Sequence, residues 1–213
     1  MELDLRYAVT SGVNLIATLN PDFATIEADQ EQVNLTRFEL NLPEKRPFVL
    51  EASELFRQRI RTFYSRRISD IRGGVQAIGK RGPWTFAFIG AAGDEPGDAP
   101  EPTFSVARVQ RDIGRSSLGL NWVDRRLDGA GDGSVEIDAT LFFSPTLGFT
   151  GQLARSHGPE EDGVWAFFVR PSYDSPTGHF HVRHTHLGEN FADNANGIGF
   201  IRDDNRREVD SAL

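Results

Sequence analysis

Four histidines within eight residues are the clearest candidates for metal chemistry in the chain. They are His179, His181, His184 and His186 in "HFHVRHTH". Imidazole nitrogens are common metal ligands, so the cluster raises the question of a metal site. On a β-strand, however, His179 and His181 would share one face and His184 and His186 the other. Unless a bulge intervenes, no three of them converge, and we expect no metal ligands here.

Two acidic stretches contain oxygen atoms that could bind calcium. Asp128, Asp132 and Ser134 lie in "DGAGDGS", and Asp193 and Asn194 lie in "ADNANG". Neither stretch has the D-x-[DN]-x-[DN]-G spacing of an EF-hand loop, and glycine beside aspartate is ordinary turn chemistry. We therefore expect turns without a specific ion or cofactor, although acidic loops could attract divalent cations diffusely at an anionic lipid surface.

Pairs of carboxylates near the amino end could act as the acid and base of glycoside hydrolysis. The candidates are Glu27 with Asp29 and Glu44 with Glu51. Sequence spacing alone does not establish the separation of a few ångströms that this chemistry requires. The chain also has no G-x-S-x-G nucleophile elbow and no glycine-rich phosphate-binding loop. No catalytic residue is predicted, and a non-enzymatic function is favoured.

A block of carboxylates is followed closely by a block of arginines. The acids are Asp22, Glu27, Asp29, Glu31, Glu39 and Glu44, and the arginines are Arg57, Arg59, Arg61, Arg66, Arg67 and Arg72. The arginines could bind an anionic solute, but pairing with the nearby carboxylates is the simpler use. Pro21, Pro43 and Pro47 make the acidic block unsuitable as a central strand.

Length and composition narrow the class of protein. A chain of 213 residues without a low-complexity linker is long enough for one domain. The net charge of −8 argues against a nucleic-acid partner, which would need a basic surface. The absence of cysteine excludes disulfides and thiolate metal sites. No apolar run could form a transmembrane helix, and Met1 leads into no signal peptide, which favours a fragment of a longer protein.

From Trp84 onward, segments of about ten residues alternate between apolar and polar residues, and "SVEIDATLFF" is the clearest. There, Val135, Ile137, Ala139, Leu141 and Phe143 share one face, opposite Ser134, Glu136, Asp138, Thr140 and Phe142. The same pattern groups Leu118, Leu120 and Trp122, then Leu147, Phe149 and Leu153, then Trp165, Phe167 and Val169. These segments predict antiparallel strands with one apolar face, of the length that a tilted membrane strand needs.

The connections between these segments alternate in length. "DIGRS", "SPT" and "DSPTG" predict compact turns, whereas "AAGDEPGDAPEP", "RLDGAGDG", "SHGPEEDG" and "GENFADNANG" predict longer acidic loops. In an up-and-down sheet every second connection lies on the same edge. Outer-membrane barrels have short periplasmic turns and long outer loops, so the pattern favours a barrel, although a soluble meander could share it.

The amino-terminal third is less regular. Two alternating runs around Ser11 and Gly12 predict a hairpin. Farther along, "EASELFRQ" predicts a short helical turn and "RIRTFYSRRI" a strand-like segment. We interpret residues 1–213 as a single β-barrel-like domain, with a hairpin at 1–20, an irregular charged segment at 21–72 and an antiparallel meander at 73–213.

Several motifs in this irregular segment carry a family resemblance. They are "NPDF", "EAD", "NLT", "PEKRPF" and "YSRRI", and later "VARVQRDIGRSSLGLNWVDRR" and "LGENFADNANGIGFIRDD". In order and spacing they resemble a large bacterial family of unknown function. Its members pair an N-terminal domain similar to carbohydrate-binding module family 9 with a C-terminal region that looks like an outer-membrane β-barrel. The chain resembles the first part of that barrel region, without the carbohydrate-binding-like domain and with "REVDSAL" in place of a final aromatic strand.

The resemblance suggests a place for the acidic block. Irregular backbone can exist at membrane depth only where it is buried in protein or lines water. We therefore expect a lumen charge cluster that brings carboxylates near arginines. Its members would be Asp22, Glu27, Asp29, Glu31, Glu44, Arg59, Arg61, Arg66 and Arg67. The alternative is a solvated periplasmic loop whose charges point into water.

Together these observations favour an all-β, antiparallel up-and-down meander that forms part of an outer-membrane-type β-barrel. About eight to ten strands are expected, acting without catalysis as a pore, uptake channel or surface scaffold in a Gram-negative outer membrane. The expected partners are membrane lipid and lipopolysaccharide, the rest of the barrel or another protein over the open sheet edges, and carbohydrate. No nucleic acid or cofactor is expected. The alternative is a soluble antiparallel β-domain that binds or processes carbohydrate.

Overall fold

One antiparallel sheet dominates the computed structural model, which describes residues 3–21, 34–35, 39–68, 70–94 and 100–212. Its eleven strands in those ranges are β1 Leu3–Thr10, β2 Val13–Leu19, β3 Ile71–Arg81, β4 Trp84–Gly93, β5 Thr103–Ile113, β6 Ser116–Leu127, β7 Ala130–Phe142, β8 Leu147–His157, β9 Trp165–Ser175, β10 Gly178–Leu187 and β11 Arg206–Ala212. Each strand pairs only with its neighbours in sequence, in the order β1 to β11. The predicted all-β up-and-down meander is confirmed, and the sheet is open, with β1 and β11 as its edges.

Helical structure in the described ranges is confined to four short pieces. They are α1 Pro47–Ser53, α2 Phe191–Ala195 and two 3₁₀ turns, Glu54–Phe56 and Ser65–Arg67. The predicted helical turn in "EASELFRQ" is thus confirmed. The strand-like interpretation of "RIRTFYSRRI" is wrong, because this stretch finds no strand partner and directs Ile60 and Phe63 into the core instead.

Within the described residues, no helix is both long enough and apolar enough to cross a membrane.

The connections divide between the two ends of the strands. At one end, residues 11–12, 82–83, 114–115, 143–146 and 176–177 form the tight turns. At the other end lie the connections 20–70, 94–102, 158–164 and 188–205. The prediction of a long loop in "RLDGAGDG" is wrong, because β6 and β7 extend through most of this stretch. Only Asp128 and Gly129 separate them, and both adopt positive φ (51° and 83°), as a two-residue hairpin turn requires.

The two faces of the sheet differ in what covers them. We call the covered side the inner face and the other side the outer face. Ile16, Ile89, Val106, Val123 and Phe168 lie on the inner face and are buried. The predicted apolar sets lie on the outer face, where most of their members are exposed. These exposed members include Leu118, Leu120, Trp122, Val135, Ile137, Leu147, Leu153 and Trp165.

Residues 39–68, which we call the inner segment, cover much of the inner face. Phe48, Val49, Ala52, Phe56, Phe63 and Ile68 of this segment pack in one cluster with side chains of β2 to β6. Ile60 packs in a second cluster with β8, β9, β10 and α2, through residues such as Ala154, Phe168 and Phe191. The core therefore lies between the sheet and a largely irregular stretch of chain, and not between two sheets.

The contact between Phe48 and β3 depends on a glycine. A Cβ atom at Gly74 would lie 2.7 Å from the Phe48 ring, which is closer than packing allows. Gly178 on β10 has open space instead, with its nearest neighbour at 4.0 Å. We expect Gly74→Ala to lower the free energy of unfolding by about 1–3 kcal/mol through overpacking, and Gly178→Ala to change it by less than about 0.5 kcal/mol. Urea unfolding of both variants measures the difference, and equal effects would show that Phe48 does not dock at Gly74.

Candidate functional site

An ion pair on the inner face anchors the inner segment to the middle of the sheet. Arg108 on β5 donates to both carboxylate oxygens of Asp138 on β7, over 2.7 and 3.0 Å. Both side chains are largely buried. Gln58 of the inner segment donates to the same carboxylate over 3.1 Å. Gly119, on the strand between them, leaves room for the pair, because a Cβ atom there would lie 2.4 Å from Asp138.

Two further polar contacts fix the inner segment to β7 and β8. The backbone N–H of Ile60 donates to Oε1 of Gln152 over 2.9 Å, and Nε2 of Gln152 donates to the Ile60 carbonyl over 2.8 Å. Thr62 donates its hydroxyl proton to Oε2 of the buried Glu136 over 2.9 Å. Gln152 thereby replaces the backbone partners that Ile60 would otherwise have in a strand.

A buried clamp holds the inner segment together. The Arg46 guanidinium donates to both carboxylate oxygens of Glu44, to the Ser65 carbonyl over 2.7 Å and to the Ile68 carbonyl. Burial alone would raise the pKa of Glu44. The hydrogen bonds from Arg46 and Ser65 and the charge of Arg46 outweigh burial and hold this pKa below its ordinary value. The clamp thus joins the two ends of the segment through a charged, desolvated pair.

The predicted charge cluster is only partly within the described residues. Asp22, Glu27, Asp29 and Glu31 lie outside them. Of the other members, Glu44 pairs with Arg46, which is its neighbour in sequence and not one of the arginines at 57–72. Arg67 pairs with Glu39 over 2.5 Å, and Arg66 donates to the Pro43 carbonyl over 2.7 Å. Arg59 and Arg61 lie elsewhere, against aromatic rings.

Those two arginines line a cleft between the inner segment and the last two strands. Its volume is about 370 Å³. The lining residues are Asn41, Arg59, Ile60, Arg61, Thr185, Leu187, Phe200, Ile201, Arg202, Asp203, Arg206 and Glu208. We call it the arginine cleft. A second cleft of about 620 Å³ lies within the inner segment itself, around Leu42, Phe56 and Arg57.

The four histidines divide as the strand pattern predicts. His179 and His181 lie side by side, with Nε2 of the first 2.9 Å from Nδ1 of the second, and His179 also contacts Asp174. His184 and His186 instead pack on the ring of Phe167. Among the described residues no group of three or more histidine, aspartate or glutamate side chains could hold a metal ion.

Three of the other candidate ligands have structural roles. Asp128 forms the β6–β7 turn, and Asp132 pairs with Arg125 over 3.3 Å. Asn194 exchanges hydrogen bonds with the backbone of Glu160. The proposed pair of Glu27 and Asp29 lies outside the described residues.

Comparison with known proteins gives one match. The model of the family described as "Domain of unknown function (DUF5916)" matches residues 1–78, a range that includes the first hairpin, the inner segment and most of β3. This match supports a relationship to a family of unknown function. No curated protein and no solved structure matches the chain.

The sequence signals for this site were incomplete. Glu136, Asp138 and Gln152 are on the polar sides of their predicted strands, so their inward position is expected from alternation. Arg108 was missed, although its spacing of two from Gln110 and of four from Asp112 marks a polar stripe along β5. Arg202 and Arg206 were also missed, because they are far in sequence from the arginines at 57–72 and lie near Arg59 and Arg61 only in the folded chain.

The Glu44–Arg46 pair gives a pH-dependent prediction. Because the folded pKa of Glu44 lies below its ordinary 4.5, its contribution to stability is present above pH 4.5 and is lost as the pH falls through the folded value. We expect Glu44→Gln to lower the free energy of unfolding at pH 7 by about 3 kcal/mol, because the buried charge of Arg46 loses its carboxylate counter-charge. The variant should also show a shallower loss of stability at acid pH in urea unfolding.

Glu54 provides the matched control for that substitution. It forms an exposed pair with Arg57 over 2.7 Å. We expect Glu54→Gln to change the free energy of unfolding by less than about 0.5 kcal/mol. If both variants lose the same stability, the Glu44–Arg46 pair is not a buried clamp.

The Arg108–Asp138 pair can be tested with a double-mutant cycle. Arg108→Met and Asp138→Asn should each destabilise the fold by roughly 3 kcal/mol, with a coupling of about 1–3 kcal/mol between them. The exposed pair of Lys80 and Asp112, at 2.9 Å, serves as the reference and should couple much more weakly, because water screens it. Equal coupling in the two cycles, measured by urea unfolding, would contradict the anchoring of the inner segment by a desolvated pair.

Proposed function

We propose that this chain is a non-enzymatic segment of an outer-membrane β-barrel that serves as a pore, an uptake channel or a surface scaffold. The observation that carries the proposal is the exposed apolar surface that continues across the outer face from β1 to β9. A water-soluble sheet of this kind would normally bury its apolar face against a second layer, and contiguous apolar surface on this scale marks an interaction site. The acyl chains of a lipid bilayer would cover such an apolar face directly.

The extent of the apolar surface supports a membrane role. On β9, Trp165, Phe167, Val169 and Tyr173 all face outward over eight residue steps, which is about 27 Å along the strand at roughly 3.4 Å per residue. Allowing for strand tilt, this length is comparable with the apolar band of about 25 Å on outer-membrane barrels. Polar residues on the outer face begin where the band would end: on β6, Trp122 is followed two residues later by Asp124, which bonds to His157.

The outward arginines lie near the strand ends. Arg111 packs over Trp84 near the tight turns, and Arg155 packs over Trp165 near the opposite ends of the strands, beside the long connections. Long cationic side chains can extend from such positions to the lipid headgroups, while aromatic rings concentrate at the membrane interfaces. These arginines suit contact with lipid phosphates and lipopolysaccharide, and the acidic loops would approach such an anionic surface by sharing divalent cations with it.

The open edges call for a further partner. Every residue of β1 is exposed, and β11 is paired on one side only. Unpaired strand edges invite association unless they are covered. The rest of a longer barrel would cover both edges by continuing the same ladder, which is the simplest occupant. Another protein, and carbohydrate on the exposed loops, are less specific alternatives.

The three tryptophans of the chain allow a direct test of membrane contact. Trp84, Trp122 and Trp165 all lie on the outer face with 45%, 39% and 51% of their surface exposed. Reconstituted in vesicles, the chain should show blue-shifted tryptophan emission. Lipids brominated on their acyl chains should quench this emission strongly, whereas acrylamide in the water should quench it weakly.

The soluble alternative predicts the reverse. A carbohydrate-binding β-domain would stay monodisperse without detergent, would be quenched by acrylamide and would be insensitive to brominated lipid. That result would reject the membrane proposal. As a matched pair of variants, Leu120→Lys on the outer face should prevent insertion into vesicles, whereas Thr150→Lys on the inner face should permit it.

A further inference from the structure

The arginine cleft has a charge opposite to that of the whole chain. Four arginines and two carboxylates line it, whereas the chain as a whole has a net charge of −8. The arginines come from separate parts of the chain: Arg59 and Arg61 from the inner segment, Arg202 from the loop after α2, and Arg206 from β11. The fold therefore brings together like charges that are far apart in sequence, and it does so around an open space of about 370 Å³.

Three of these guanidinium groups have no carboxylate partner in the described part of the chain. Arg59 lies over the ring of Phe168 at 5.8 Å, Arg61 bonds to Asn41 over 2.8 Å, and Arg202 lies over the ring of Phe200. Only Arg206 reaches an acid, Glu208, at 3.4 Å. Elsewhere in the inner segment, by contrast, Arg46, Arg57 and Arg67 each pair with a glutamate.

Arg61 and Arg202 both pack on one aromatic ring, that of Phe200. Their guanidinium carbons lie 5.3 and 5.5 Å from the centre of the buried Phe200 ring. Burial lowers the pKa of Arg61, and the charges of Arg57 and Arg202 lower it further. An anion bound in the cleft beside both guanidinium groups would offset their mutual repulsion, so the arrangement favours a bound negative charge.

We propose that the arginine cleft is a binding site for a small, soluble, phosphate-bearing solute. Guanidinium groups that approach from several directions suit a tetrahedral dianion, whose oxygens accept hydrogen bonds on all sides, better than a planar carboxylate. The cleft volume falls in the range of small-molecule sites and accommodates a phosphorylated monosaccharide. The inference goes beyond the proposed barrel function and does not depend on it.

The position of the cleft selects a soluble phosphate over a lipid headgroup. Thr185 and Leu187 of β10 and Glu208 of β11 line it from the inner face, on the side opposite the exposed apolar surface. A lipid whose acyl chains contact the outer face would have to pass the sheet to place its phosphate here. A dissolved phosphate ester reaches the cleft from water.

Calorimetric titration of the purified chain tests the proposal at low ionic strength. We expect inorganic phosphate and glucose 6-phosphate to bind with one site per chain, and uncharged glucose not to bind. Binding should weaken as salt is raised, because it is electrostatic. If neither phosphate binds at millimolar concentration, or if glucose binds equally well, the proposal is wrong. If a short-chain phosphatidylglycerol in the same buffer displaces glucose 6-phosphate from the site, the choice of a soluble solute is wrong.

Substitutions that leave the core intact locate the site. Arg202 is exposed, so Arg202→Gln should fold normally and weaken phosphate binding by about tenfold, the usual effect of losing one charged hydrogen bond. Arg59→Gln should do the same independently. The control is Arg207→Gln on β11, which removes the same charge from the opposite face, where Arg207 lies beside His186. Equal weakening by Arg202→Gln and Arg207→Gln would show nonspecific attraction and overturn the assignment.

Discussion

The rest of the structure depends on one constraint: the irregular backbone of the inner segment must find hydrogen-bond partners on the buried inner face. The pair of hydrogen bonds between Gln152 and the backbone of Ile60 meets this constraint. Residues 57–64 cross the buried inner face without regular structure, so their backbone groups cannot pair as they would in a helix or a sheet. Gln152 supplies both a donor and an acceptor to one residue, and the backbone of residues 198 and 200 pairs with residues 64 and 61. The irregular part of the inner segment thus depends on polar side chains of the sheet, whereas its apolar side chains pack on β2 to β6.

This requirement explains why the two faces of the sheet differ. Where the inner segment needs hydrogen bonds, the strands provide Gln152, Glu136 and Asp138, and alternation then assigns the intervening residues to the outer face. Those intervening residues, such as Ile137 and Leu153, are apolar and exposed. An inner face on which polar side chains bond to the inner segment, and an apolar outer face that the described residues leave exposed, are therefore two results of one pattern. The pattern is the reverse of a water-soluble sheet with a polar outer face.

The sequence could predict the strands but not the partners of the inner segment. Period-two alternation identified the strands from β4 to β10 because it is a local property. The predicted length of the β6–β7 loop was wrong because glycine and aspartate favour turns of any length. Here the strands extend until only Asp128 and Gly129 remain between them. Ile60 and Gln152 are 92 positions apart, and no local pattern records such a contact. Glu44 was expected to pair with the arginine block but pairs with Arg46, because a neighbour two residues away costs little chain entropy to reach.

The arginines of the inner segment separate into two groups with different environments. Arg46 and Arg67 neutralise glutamates of the same segment and thus stabilise its irregular path. Arg59 and Arg61 face β10 and β11 instead, where Arg202 and Arg206 add positive charge and where the sheet ends in an open edge. Concentrating positive charge at this place raises the electrostatic energy of the fold, and within the described residues only Arg206 of these four arginines pairs with a carboxylate. A structural role accounts for the first group, whereas the second is better explained by a negative charge that arrives from outside the chain.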